Sequence, residues 1–209
     1  MFLPSFTSKF AERRSLAARG GFGLIELMVS ISIMILVLGV VLVQQSSFDG
    51  AVLLRSQAYE VALRIRDIQT TAVSASVDYT AGSFRVRYGI YMDTSANSNG
   101  LYRIFNDVDK DGYDTTSDTE VNAPGVLDSR FEIRAIRVTD TNGAVQNPNA
   151  ISIDFERPNF DAYFYTTTGT PLANVEKVQI DIARRGITGT GNTVLRTIEI
   201  TPAGQISVL

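Results

Sequence analysis

Residues 22–43 read FGLIELMVSISIMILVLGVVLV, and this apolar stretch sets the architecture expected for the whole chain. Glu26 is its only charged residue, and Ser30 and Ser32 are its only other polar side chains. As a helix, a stretch of this length extends about 33 Å, which is enough to cross a hydrocarbon layer about 30 Å thick. The sequence therefore predicts a membrane-spanning helix over residues 22–48, ahead of a folded domain.

Charge is distributed unevenly around this stretch. Residues 1–21 carry four basic residues and one acidic residue, whereas the remainder carries 15 basic and 21 acidic residues. Basic residues ahead of an apolar helix favour a cytoplasmic N-terminus and an outward-facing C-terminal part. A secretory signal is the alternative, but its apolar region is about 7–15 residues long and ends at a small-residue cleavage site. Here the longer apolar run is followed by QQSSFD at residues 44–49, which fits that alternative poorly.

Glu26 is the unusual residue of the apolar stretch. A carboxylate at the centre of a membrane helix costs about 2.5–3.5 kcal/mol, and less towards an end. Two interpretations stay open from the residues alone. Either Glu26 lies at the membrane interface, where the dipole of the helix start stabilises it, or it meets a cationic partner inside an apolar environment.

The segment GFGLIEL at residues 21–27, after a short basic leader, resembles the type III signal of type IV pilins and pseudopilins. The resemblance implies that a membrane peptidase cuts between Gly21 and Phe22 and methylates the new N-terminal Phe22. Glu26 is then the fifth residue of the mature chain, where its carboxylate faces the N-terminal amine of a neighbouring subunit. Gly23 stands where these signals more often have Thr or Ser.

This resemblance implies a structural, minor subunit of a type IV pilus or type II secretion pseudopilus. The expected partners are other pilin or pseudopilin subunits, the prepilin peptidase and an inner-membrane assembly platform. Before assembly, the chain is expected to be a single-pass inner-membrane protein with its C-terminal domain on the periplasmic or extracellular side. The role requires no cofactor.

A narrower resemblance concerns H-type minor pseudopilins. RSQA at residues 55–58 and IRDIQTTA at 65–72 resemble the second half of their helix, and RTIEITPAGQI at 196–206 resembles their closing hairpin. Some relatives bind DNA through arginines near the last glycine, so a DNA-binding minor pilin for natural transformation is the alternative function. No arginine follows Arg196 and the mature part is acidic, so nucleic-acid binding is not favoured. Arg184 and Arg185 remain as a small basic loop.

The spacing of apolar residues beyond the membrane stretch predicts that the helix continues to about residue 75, with Asp49-Gly50 as a place for a kink or local melting. After about residue 76 the period changes to two, as in strands. Candidate strands cover residues 84–92, 101–105, 131–138, 151–155, 162–165, 175–182, 194–200 and 205–209. The expected fold is α+β and pilin-like, with a long N-terminal helix packed on an antiparallel sheet. Its expected parts are a leader (1–21), an assembly helix (22–48) and a globular domain (49–209).

An acidic loop interrupts the strand pattern with the spacing D-x-D-x-D-G, which is typical of calcium loops. Its candidate ligands are the carboxylates of Asp107, Asp109, Asp111 and Asp118 and the backbone carbonyl of Tyr113, with Gly112 at the reversal. Glu is normal at the position of Asp118, so either the affinity is reduced or Glu120 substitutes. The competing interpretation is a solvent-exposed turn that happens to be rich in Asp.

The chain has no cysteine and no histidine, which excludes thiol nucleophiles, disulfides, imidazole-bound metals and a Ser-His-Asp triad. A membrane-anchored enzyme is therefore the weakest of the functions considered, and the sequence predicts no catalytic residue.

Overall fold

The computed structural model describes residues 23–74, 87–156, 158–191 and 194–209, without the side chains of residues 43–49. The predicted leader, Gly21 and Phe22 lie outside these residues. The chain divides into two compact units, Met1–Val43 and Gln44–Leu209.

The helix α1 runs over Leu24–Ser74. At its start, the carbonyl of Gly23 accepts hydrogen bonds from the backbone N–H groups of Glu26 (3.0 Å) and Leu27 (3.1 Å). The chain is helical at both Asp49 and Gly50, so the predicted local melting does not occur there.

In the second unit, α1 buries one face. The predicted amphipathic stripe is confirmed, because all of its members are at most 5% exposed: Leu54, Ala58, Val61, Ala62, Ile65, Ile68 and Ala72. Their 3/4 spacing places them on one side of the helix, where burial of apolar surface stabilises the packing.

Eleven strands follow among the described residues: β1 Arg87–Asp93, β2 Leu101–Asp107, β3 Thr119–Glu120, β4 Gly125–Val126, β5 Phe131–Asp140, β6 Val145–Gln146, β7 Ala150–Phe155, β8 Ala162–Tyr165, β9 Val175–Arg184, β10 Leu195–Ile200 and β11 Ile206–Val208. The predicted strands are present, with shifted ends. Only the two-residue strands β3, β4 and β6 were not predicted, because they are too short to show a period of two.

The strands form two sheets and not the single sheet that was expected. The first has the order β3-β2-β1-β7-β8, with β4 also pairing with β2, and the second has the order β11-β10-β9-β5-β6. All pairs between these strands are antiparallel, so the predicted α+β class with antiparallel strands is confirmed.

Both sheets contribute to one core with the helix. Ile65 of α1 packs in a cluster with Ile90 and Ile153 of the first sheet and with Ile180 and Ile198 of the second. Polar contacts add to this packing. The Arg66 guanidinium donates to the carbonyl of Ile206 (2.8 Å), and the Gln69 amide donates to the carbonyls of Phe160 (2.8 Å) and Gly204 (2.9 Å).

The other face of the first sheet carries polar residues. Because side chains alternate along a strand, Gly89 of β1 lies on the face opposite to the core residues Ile90 and Met92. Register places Phe105 of β2 and Asp154 of β7 beside Gly89, and Asp107 beside Arg87. We call this face of the first sheet, opposite the core, its outer face. The acidic loop, which follows β2, lies over it.

Candidate functional site

The first unit presents a helix surface that no described residue covers. Leu24–Leu42 is 19 residues long, apolar enough to cross a membrane, and has none of its length buried. Leu24 is 77% exposed, and even Leu38 is 48% exposed. Large apolar side chains in such a continuous array require lipid or apolar protein surface around them.

The polar side chains of Leu24–Leu42 differ in their hydrogen bonding. Ser30 Oγ donates to the carbonyl of Glu26 (2.7 Å), and Ser32 Oγ donates to the carbonyl of Met28 (2.8 Å), so both hydroxyls are satisfied within the helix. Glu26 lies in the first turn and is exposed. Its carboxylate forms no ion pair with the described residues and is open to solvent or to another molecule. Gly21 and Phe22, the predicted processing site, lie before the described residues.

The acidic loop connects β2 to β3 and folds over the outer face of the first sheet. The ring of Tyr113 packs against Tyr91 (centroids 4.8 Å apart) and Phe105 (5.0 Å), and its backbone N–H donates to Ser152 Oγ (2.9 Å). Gly112 has a positive φ of 88°, and a Cβ there would lie 2.7 Å from the Cβ of Tyr165. The loop therefore needs glycine at its reversal, both for the backbone conformation and for the close approach to β8.

The loop brings its carboxylates together in two overlapping groups. Oxygens of Asp107, Asp109 and Asp118 all lie within 4.8 Å of one another, as do those of Asp109, Asp111 and Asp114. The predicted ligands Asp107, Asp109 and Asp118 thus converge, and Asp111 joins them through Asp109. Carboxylates at this separation repel one another unless protons or a cation neutralise them.

Glu120 does not join either group. Its carboxylate accepts hydrogen bonds from Arg103 (2.5 Å) and from the Tyr113 hydroxyl (2.6 Å), which holds it on the rim of the sheet. The arrangement does not support the expectation that Glu120 replaces Asp118. Asp114, which sequence reasoning did not select, is mainly a turn residue, because it accepts from the backbone N–H and the hydroxyl of Ser117 (both 2.8 Å).

Two of the loop carboxylates have raised pKa values. Burial, and then hydrogen bonding and repulsion from Asp109, raises the pKa of Asp111 to about 6. Burial likewise raises the pKa of Asp118 to about 6, against the lowering effect of the backbone N–H groups of Asp114 and Val108. Asp107 is fully buried and accepts from the backbone N–H of Lys110 (2.6 Å).

Asp154 is the residue that sequence reasoning missed. It is fully buried in β7, and neither of its carboxylate oxygens has a hydrogen-bond partner among the described residues. Burial, and then the neighbouring Asp107 carboxylate within hydrogen-bonding reach, raises the pKa of Asp154 well above its ordinary value. The only signal in the sequence was a single acid inside the apolar segment AISIDF at residues 150–155.

Gly89 makes the space for Asp154. A Cβ at Gly89 would lie 2.1 Å from Asp154 Oδ1 and 2.5 Å from the Phe105 ring, so a side chain there would displace one of them. The buried carboxylate of Asp154 therefore lies beneath the acidic loop, in space that is free only because residue 89 has no side chain.

The nearby cations are already engaged with another acid. Arg87 Nε donates to Glu156 (2.9 Å), and Lys110 Nζ donates to the same carboxylate (2.5 Å). Arg87 also donates to the Tyr165 hydroxyl and lies 4.2 Å from the centre of the Tyr163 ring.

The basic loop after β9 is also tied into the fold. Arg185 donates to the side-chain oxygen of Asn99 (3.1 Å) and to the carbonyl of Phe131 (3.4 Å). Arg134 donates to the carbonyls of Arg184 (2.6 Å) and Ile187 (2.7 Å). These contacts assign Arg134 and Arg185 a role in holding the β9–β10 connection, so the geometry adds nothing to the DNA-binding alternative.

No protein-family model matches the chain, and no curated protein sequence matches it either. Among solved structures, the chain is similar to the minor pseudopilin EpsH from the type 2 secretion system of Vibrio cholerae. The two share 11% sequence identity with a TM-score of 0.40, and the match covers 75% of this chain and 95% of the other. A likeness of this degree assigns neither a family nor a function, so the functional argument rests on the residues of the chain itself.

Proposed function

We propose that this protein is a structural, non-catalytic subunit, of the minor kind, of a type IV pilus or type II secretion pseudopilus. Its apolar helix inserts into the inner membrane, and cleavage between Gly21 and Phe22 removes the leader. The same helix then assembles with other subunits. Its C-terminal domain then faces the periplasm or the cell exterior. The partners in this proposal are the prepilin peptidase, the membrane assembly platform and the other pilin or pseudopilin subunits.

One observation carries the proposal: an exposed apolar helix with a single acid in its first turn. Leu24–Leu42 is long and apolar enough to anchor the chain in a membrane. Anchoring alone does not require the carboxylate of Glu26. A carboxylate entering an apolar environment is costly when alone and far less so beside a cation. The resemblance of residues 21–27 to a prepilin signal supplies such a cation, because cleavage after Gly21 creates an amine that stays charged after methylation.

In this mechanism, Glu26 of one subunit meets the N-terminal amine of Phe22 in a neighbouring subunit. Lipid surrounds the apolar helix before assembly, and the helices of other subunits surround it afterwards, so the chain moves between two apolar environments. The ion pair then fixes how far one subunit slides along the next. Registry of this kind is the best-attested use of a buried polar pair.

Mass spectrometry of the N-terminus tests the proposal most directly. Protein purified from its native membrane should begin at Phe22 and carry a methyl group on its amine. A Gly21→Val variant should keep the leader, since a branched side chain blocks the predicted cleavage, and a Gly39→Val variant serves as a control for a similar change within the helix. Native protein that still begins at Met1, or that is cut after the apolar run, would contradict the proposal.

A further inference from the structure

The carboxylates beneath and within the acidic loop form the feature of the second unit that the filament role does not explain. We propose that Asp107, Asp109 and Asp118 bind a calcium ion, and that buried Asp154 is a positioning residue that supports Asp107 from below. This proposal does not depend on the filament function, because it concerns the second unit alone.

Asp154 separates this loop from an ordinary acidic turn. Acids on an exposed turn are solvated and need no partner, whereas Asp154 is fully buried and has no hydrogen-bond donor within the described residues. The register places it opposite Gly89 and places Asp107, which is also fully buried, opposite Arg87, so the two acids lie on the same face of the sheet on either side of β1. Burying a carboxylate without a partner is costly, so two neighbouring buried acids are stabilised by a proton or a cation that they share.

Among the described residues, the cations beside the loop are paired with other acids. Arg87 and Lys110 both direct their charge to Glu156, and Arg103 directs its charge to Glu120. A charge brought from outside the protein would therefore stabilise this arrangement.

The ligand set specifies the kind of cation. It consists of carboxylate oxygens, and the sequence contains no cysteine thiolate and no imidazole, which suits a hard ion. Calcium accepts six to eight oxygens at about 2.3–2.6 Å, so two of its ligands lie at most about 5 Å apart. The oxygens of Asp107, Asp109 and Asp118 lie within 4.8 Å of one another, which meets this condition. Magnesium demands stricter octahedral geometry and keeps more of its water, so a loop of this kind suits calcium better.

Asp154 acts through Asp107 in this proposal. Its negative charge strengthens the attraction of the site for a cation, and its position fixes the side chain of Asp107, as outer carboxylates do in other metal sites. Asp107 is held from the loop side as well, by the backbone N–H of Lys110 (2.6 Å). Ion binding would therefore lock the loop onto the outer face of the first sheet.

The test uses the full-length protein in detergent after removal of metal with a chelator. Titration calorimetry with calcium chloride should give a dissociation constant of about 10⁻⁴–10⁻³ M, the range of extracellular calcium modules. Calcium should also raise the melting temperature, and magnesium at the same concentration should do so much less. No heat of binding and no rise in melting temperature at millimolar calcium would overturn the proposal.

Two variants test the role of the buried acid. Asp154→Asn should raise the melting temperature of the metal-free protein, because it removes an uncompensated buried charge. It should also weaken calcium binding by at least about 10-fold, the effect expected for an outer-shell residue of a metal site. Asp67→Asn is the matched control, because the Asp67 side chain is 65% exposed on α1 and its carboxylate pairs with Arg64, and it should leave calcium binding unchanged.

Asp118→Asn keeps the test decisive if Asp154→Asn fails to fold. Asp118 is only partly buried, and an amide can still accept from the backbone N–H of Asp114 (2.9 Å), so this variant should fold. Calcium should no longer stabilise it measurably. Wild-type affinity in Asp118→Asn, or unchanged affinity in a folded Asp154→Asn, would overturn the assignment of those residues.

Discussion

Residues Leu24–Leu42 of α1 and the region of the acidic loop each hold a carboxylate, Glu26 and Asp154, that forms no ion pair among the described residues, but the two carboxylates lie in opposite environments. Glu26 lies on an uncovered apolar surface and becomes costly only when lipid or other subunits surround it. Asp154 is already sealed beneath a loop and beside Asp107 in the folded chain. The first acid therefore bears on assembly, whereas the second bears on the stability of the fold itself. Glu26 would gain its role from the environment that it enters on assembly, and Asp154 from the environment in which folding places it.

The largest effect is expected from removing the charge of Glu26. If assembly does not need this charge, Glu26 and Asp154 do not differ in the way described above. Glu26→Gln keeps the shape of the side chain and removes its charge, so the N-terminal amine of the neighbour would be left unpaired. Removing one partner of a buried ion pair costs about 3–5 kcal/mol, which is enough to reduce incorporation into filaments by more than about 100-fold. Quantitative immunoblotting of sheared filaments against membrane protein measures this, and processing at Gly21 should persist.

Ser32→Ala is the control for Glu26→Gln. Its hydroxyl bonds only to the carbonyl of Met28 in its own helix, so assembly should be unaffected. Normal incorporation of Glu26→Gln beside a normal Ser32→Ala would show that Glu26 is only an interfacial residue.

An intermediate effect is expected from substituting glycines. Gly89 tests the packed region beside Asp154, and Gly39 tests the uncovered apolar helix. Gly89→Ala should destabilise the second unit by about 1–3 kcal/mol, because the added methyl group overlaps Asp154 Oδ1 and the Phe105 ring. Gly39→Ala meets nothing within 4 Å and should stabilise its helix by up to about 1 kcal/mol. Urea unfolding followed by near-ultraviolet circular dichroism measures the first, and equal stability of Gly89→Ala and wild type would show that the space beside Asp154 is not tightly packed.

The smallest effect is expected from pH, in the metal-free protein. The folded-state pKa values of Asp111 and Asp118 are about 6 and that of Asp154 is also raised, all above their ordinary value of 3.8. Raised pKa values mean that the folded state holds these protons more tightly, so their contribution to stability is present below pH 3.8 and is lost as the pH rises through about 6. The melting temperature of the wild type should therefore fall by a few degrees between pH 5 and pH 7.5, and that of Asp154→Asn should fall less, because only Asp111 and Asp118 still contribute there. A rise over this interval in both proteins alike would contradict the buried-acid argument.

Much of the local structure was predictable because its signals lie close together along the chain. The 3/4 spacing from Leu54 to Ala72 predicted the buried face of α1, and alternation predicted β1 near Ile90 and Met92. The D-x-D-x-D-G spacing likewise predicted that Asp107 and Asp109 converge, since a loop turning at Gly112 brings alternate side chains together. The cleavage between Gly21 and Phe22 stays a prediction, because those residues lie outside the described part of the chain.

Local patterns were enough to predict the apolar helix, the order of helix and strands, and the acidic loop, because hydrophobic period and turn chemistry act over a few residues. The division of the strands into two sheets and the position of Asp154 beside Asp107 became visible only in the folded chain. Those outcomes depend on pairing between strands far apart in sequence, where β1 lies between β2 and β7 and presents Gly89 to Asp154. A local pattern carries no information about which distant strand will pair or in what register, so a single acid in an apolar strand acquires its meaning only on folding.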